Sequence, residues 1–123
     1  MLPAQHRMRR PGDFAQAIRG PVRAARPPLV VHLRKEEGDT VAGFVVGKGV
    51  GNAPRRNRVK RRLRALVAGS LPTLPDGLRL VVRALPGAAE ASWEQLACRY
   101  EAALSEAMRK LVPPVPAVEV RDA

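Results

Sequence analysis

Lys48-Gly49-Val50-Gly51-Asn52-Ala53-Pro54-Arg55-Arg56-Asn57-Arg58-Val59-Lys60-Arg61-Arg62-Leu63-Arg64 joins a glycine-hinged turn to a segment whose charges are all of one sign. Seven of the ten residues from Arg55 to Arg64 are basic and none is acidic. Asn52 can cap a helix here, and Pro54 falls in its first turn, where proline loses no hydrogen bond. At helical spacing Val59, Leu63, Leu66 and Val67 form one stripe, while Asn57, Arg58, Arg61 and Arg64 fall opposite. Lys60 and Arg62 flank the stripe. A helix over 53–68 therefore has a core face and a cationic outer face. Arg55, Arg56 and Arg58 crowd its N-terminal end, where the dipole is positive and each cation costs roughly 0.3–1 kcal/mol. A stretch selected for stability alone would carry Asp or Glu there. Cations held beside free backbone N–H groups are arranged as an anion site instead.

Working outward, Gly47, Gly49 and Gly51 precede this helix, with Asn52 where a dinucleotide fingerprint needs its third glycine. No Gly-Lys-Ser/Thr closes a phosphate loop either, so the glycines are read as allowing tight backbone geometry. Upstream, Leu29–Arg34 alternates as a strand, with Leu29, Val31 and Leu33 on one face and Val30, His32 and Arg34 on the other. Thr40–Val46 is a second strand, and the short polar turn between them favours an antiparallel hairpin. Downstream of the 69–77 loop, Leu78–Ala84 is apolar enough to be the central strand. Strand, helix and strand form a β-α-β unit, which permits parallel pairing. After a turn over 85–91, Ser92 and Gln95 form a capping box for a long amphipathic helix in which Trp93 and Tyr100 are expected as core anchors.

At the other end, residues 3–12 are basic and proline-punctuated, like an extended arm. Asp13 can cap a short helix, Phe14–Arg19, with Phe14 and Ile18 on one face, and Gly20-Pro21 ends it. Residues 22–27 are expected to be extended or loop. Residues 1–111 are expected to be one domain and 112–123 a proline-rich, disordered tail.

The chain of 123 residues carries a formal charge of +11 and a pI near 11.5, which points to a polyanionic partner. With 46% apolar but only 3% aromatic residues, the core must be built from Leu, Val and Ala. Nucleic acid fits better than a membrane, since no long apolar run and no basic helix with bulky aromatics occurs. The lone Cys98 reads as a small buried or half-buried residue. Together with the absence of an apolar leader after Met1-Leu2-Pro3, it suits a reducing cytoplasm. His32, on the more polar sheet face, reads by itself as a solvated surface histidine. Only Glu36, Glu37 and Asp39 cluster among the acids, on a loop tip with no histidine beside them. The residue pattern describes a binder rather than a catalyst, and assigns no metal ligand.

Together these stretches resemble the protein subunit of bacterial ribonuclease P. The family's basic signature is matched at Lys48, Gly51, Asn52, Ala53, Arg56, Asn57, Arg58, Lys60, Arg61 and Arg64. Leu2-Pro3, Arg7–Phe14, Pro86–Ala89 and Trp93–Leu96 are similar to further landmarks in the same order. The resemblance implies an α+β two-layer sandwich of order α-β-β-β-α-β-α, ribosomal-protein-S5-domain-2-like, with an extra short strand near 22–26. It also implies a left-handed β-α-β crossover, against the usual hand. It implies cytoplasmic tRNA processing in a ribonucleoprotein endonuclease whose catalytic RNA subunit uses Mg2+ to hydrolyse the 5′ leader from precursor tRNA. No membrane and no protein partner would be needed. On this reading Lys48, Asn52, Arg55, Arg56, Asn57, Arg58, Lys60, Arg61, Arg62 and Arg64 contact RNA. Arg9, Arg10, Phe14, Ile18 and His32 contact the leader. Gly49 replaces a family lysine and Pro54 a valine; Leu85 stands where the family often has arginine, and Ile18 and His32 where it often has aromatics. The alternative is a ribosomal-protein-like structural RNA binder with no part in cleavage.

Overall fold

The described residues form four strands and two long helices, in the order β1 (Val22–Arg26), β2 (Leu29–Lys35), β3 (Val41–Val46), α1 (Ala53–Ser70), β4 (Leu78–Ala84) and α2 (Trp93–Leu111). The computed structural model describes residues 6–8 and 22–111. The expected first helix with Asp13, Phe14 and Ile18, the expected leader contacts Arg9 and Arg10, and the tail from 112 onward lie outside them.

The sheet order is β1-β2-β4-β3. Leu78–Ala84 is central, as its composition predicts: Leu80, Val81 and Val82 are fully buried, one face after the other. It pairs parallel with β3, Val41 opposite Arg79 through Val46 opposite Ala84. It pairs antiparallel with β2, Leu29 opposite Ala84 through Lys35 opposite Leu78. The expected hairpin between Leu29–Arg34 and Thr40–Val46 is therefore wrong, because β4 lies between those strands. The hairpin partner of β2 is β1, with Arg26 opposite Leu29 across Pro27-Pro28, whose peptide bond is cis. Residues 22–26 thus form the short strand that the resemblance implied and that the residue pattern alone leaves as loop. Five consecutive buried residues, Leu29 to Leu33, show that both faces of β2 are covered, and β1 and β4 pair with its two edges.

Both helices cover one sheet face. α2 lies over β1 and β2, and α1 lies against β3. Val59, Leu63 and Val67 of α1 are fully buried there, with Leu66 partly so, as the stripe predicts. From α2 come Leu96, Tyr100, Ala103 and Ala107. The Tyr100 hydroxyl lies 2.7 Å from Ser70 Oγ, which itself donates to the Val67 carbonyl, so Tyr100 is the donor of that pair. Burial pushes its pKa up to about 12 and keeps the proton in place. The Ser92–Gln95 box forms reciprocally, at 2.8 and 3.0 Å. Two α2 expectations fail: Trp93 is 42% exposed rather than a core anchor, and Cys98 is exposed.

The hinge into α1 uses its glycines unequally. Gly51 has φ 151°, and a Cβ there would lie 2.9 Å from Arg55 Cδ and 3.1 Å from Arg55 Cβ. Gly51→Ala is therefore expected to cost about 1–3 kcal/mol in denaturant unfolding, strain and crowding acting together. A loss below about 0.5 kcal/mol would show that the hinge relaxes freely. Gly49, in the place of a family lysine, packs against Pro86, whose Cγ is 3.3 Å from where its Cβ would be.

Candidate nucleic-acid interface

Asn52 caps α1, its Oδ1 accepting from Arg55 N at 3.1 Å, and no acidic residue stands in the first turn. The polar side chains then leave the helix in three directions. Asn57 and Arg61 point outward and are exposed. Lys60 and Arg64 turn toward the outer edge of β3. Arg55, Arg58 and Arg62 turn toward the 85–92 turn that leads into α2. The single outer face expected from helical spacing is in fact a cationic surface wrapped around three sides of the helix.

The third group is braced. Arg58 Nη2 donates to Ala89 O at 3.4 Å, Arg62 Nη1 to Ala91 O at 3.2 Å, and Arg55 Nη1 lies 3.4 Å from Glu90 Oε2. Arg56 reaches back to the hinge, its Nη1 donating to Gly51 O at 3.2 Å. A guanidinium carries five N–H donors, so one such bond fixes its plane and leaves donors directed outward. These bonds thus orient the arginines without exhausting them. Lys48 sits exposed in the short 3-10 turn Lys48–Val50, beside the capped end of α1.

On the β3 side, residues 6–8 continue the sheet. Arg7 pairs parallel with Ala42, and Met8 N donates to Ala42 O at 2.7 Å. Arg7, Lys60 and Arg64 then surround a cleft of about 210 Å³ with Phe44 in its wall. Arg7 and Phe44 were not marked as site residues by the sequence pattern. Arg7 was legible only as part of a basic arm, and nothing local shows that the arm returns to β3.

The sheet face away from the helices holds His32. Cross-strand register sets Arg23, His32, Val81 and Gly43 in one row, with Val30 and Arg83 in the next. His32 is fully buried, not solvated as alternation alone suggests, and neither ring nitrogen has a hydrogen-bond partner. Burial, then the charges of Arg83 and Arg23, bring its pKa down to about 4. The ring is therefore neutral at physiological pH, with one donor and one acceptor unused. His32 and the α1 cations lie on different parts of the molecule, so the site residues divide into two surfaces. Of the leader group, only His32 falls among the described residues.

Comparison with known proteins finds relatives of both the sequence and the fold. The family described as Ribonuclease P matches residues 2–108. A ribonuclease P protein component from Streptomyces bikiniensis is 54% identical over 114 residues, spanning 85% of this chain and 93% of the relative. One from Kocuria rhizophila is 48% identical, spanning 89% and 98%. Among solved structures, the Staphylococcus aureus RNase P protein superposes with a TM-score of 0.74 at 22% identity, over 88% of this chain and 98% of that one. The Thermotoga maritima RNase P protein gives 0.69 at 25%, over 78% and 92%. No described helix is long and apolar enough to cross a membrane.

Proposed function

The chain belongs to the ribonuclease P protein family, and from that premise we propose that it binds and positions RNA while the RNA subunit performs hydrolysis. The outward and β3-edge side chains of α1, Asn57 and the cations Lys60, Arg61 and Arg64, take phosphates of the RNA subunit. Arg55, Arg56, Arg58 and Arg62 add directed donors from their braced positions, with Lys48 and Asn52 at the helix start. The opposite sheet face takes the 5′ leader of precursor tRNA, offering it the exposed Arg23 and the half-buried Arg83 with His32 buried beside them. Arg9, Arg10, Phe14 and Ile18 belong to the same proposal. Mg2+ would be held by oxygen ligands of the RNA, since α1 offers only positive charge, and would supply the activated water and charge neutralisation there. The cytoplasm is the proposed compartment.

One observation carries the reading. An 18-residue helix has no acid in its first turn, and its core side packs normally while its remaining sides gather cations. Such a surface is unfavourable for stability and suited to a polyphosphate. The test is multiple-turnover cleavage of precursor tRNA by the RNA subunit at low Mg2+, with and without the protein. The protein is expected to raise the rate and to lower KM for leader-bearing substrate. An RNA subunit that cleaves equally well alone would return the chain to the class of structural RNA binders.

A further inference from the structure

Trp93 is the large apolar side chain that the described part of the fold leaves exposed, at 42%. It opens α2 and stands at one end of a groove of about 530 Å³ between α2 and α1. On the α1 side the groove is walled by Ala65, Leu66 and Gly69, and on the α2 side by Tyr100, Glu101 and Leu104. The small residues leave it open: a Cβ on Gly69 would meet nothing within 4 Å.

The surroundings decide what could enter. Arg62, anchored on Ala91 O two residues before Trp93, lies one helical turn before the groove residue Leu66, and Arg61 stands exposed one turn before Ala65. Inside there is no cation but one carboxylate, Glu101, with hydroxyls from Ser70, Thr73 and Ser105. A phosphate is repelled from that interior and attracted to its rim. An uncharged flat ring with polar edges suits it, because the indole offers a face and Glu101 accepts from an exocyclic amine or ring N–H. We propose that this groove receives an unpaired base of the RNA subunit, stacked on Trp93, with the adjoining phosphates on Arg61 and Arg62. The inference rests on the RNA-binding role proposed above. It extends the interface from α1 across to the start of α2.

The chain has a single tryptophan, so the groove carries its own reporter. Titrating the full-length protein with the RNA subunit is expected to quench Trp93 emission and shield it from acrylamide. Trp93→Ala should weaken RNA binding about tenfold, as loss of one stacked base does. It should leave the slope of log affinity against log salt unchanged, because no phosphate contact is lost. Trp93→Tyr should recover most of the affinity. Gly69→Leu fills the groove from the α1 side and keeps the reporter, and should lose both quenching and affinity. If Trp93→Ala does not fold, judged by its melting transition, Gly69→Leu decides alone. Binding at full affinity with Trp93 emission and accessibility unchanged would overturn the inference and leave the RNA-binding role intact. No binding of the RNA subunit at all would overturn both.

Discussion

Lys60→Ala, Arg61→Ala and Arg64→Ala combined are expected to reduce affinity for the RNA subunit by roughly two to three orders of magnitude near 0.1 M salt. Each neutralised phosphate releases close to one counterion, so the log–log salt slope should fall by about 2–3. These three cations are the right ones because no hydrogen bond or ion pair holds them among the described residues. Arg55, Arg56, Arg58 and Arg62 answer a different question. Their guanidiniums also bind the Gly51, Ala89 and Ala91 carbonyls and the Glu90 carboxylate, so removing them loosens the hinge and the entry to α2 as well. The Lys60/Arg61/Arg64 variant should keep its unfolding free energy within about 0.5 kcal/mol, or gain slightly from reduced repulsion. An unchanged salt slope in a folded variant would remove α1 from the interface.

How much of this was readable before the fold was known depends on what each residue has to know. The α1 stripe, the Asn52 cap and the Ser92–Gln95 box depend on neighbours within four residues, and all formed as read. The central place of β4 followed from apolar side chains on both its faces. Strand pairing did not follow, since the period of two fixes faces and says nothing about neighbours. A short polar connection made β2 and β3 look like a hairpin, whereas Pro27-Pro28 makes the real one. Trp93 shares the helical spacing of Leu96, Tyr100 and Leu104, yet lies on the flank turned toward α1. Ala65 and Gly69 there are too small to cover it. His32 alternates correctly onto the face away from the helices. Its burial is decided by what lies over that face, and alternation along one strand carries no record of it.

That burial makes His32 the largest pH-sensitive element expected among the described residues. Its ordinary pKa is 6.5 and its folded value is about 4, lowered by burial first and then by Arg83 and Arg23. The unfolded chain therefore binds the proton more readily than the folded one between these values. Stability from this group is complete above pH 6.5, falls as pH drops toward 4, and levels off below it. The whole loss is on the order of 1–3 kcal/mol once solvent screening of the Arg83 and Arg23 charges is allowed for. Arg34 and Arg79, one row further along the same face, are tied to Glu36 and weigh less on the ring. His32→Phe replaces the ring by an apolar one of similar shape and removes two unsatisfied nitrogens. It should match or exceed the parent's stability at pH 7 and show a flatter stability profile between pH 4 and 6.5, both read from denaturant melts. Carboxylate titration near pH 4 is common to both proteins and cancels in the difference. Parallel profiles, or a His32 ring whose proton resonances titrate near 6.5, would mean that water reaches the imidazole. The neutral, unsatisfied ring beside the proposed leader face would then be lost as well.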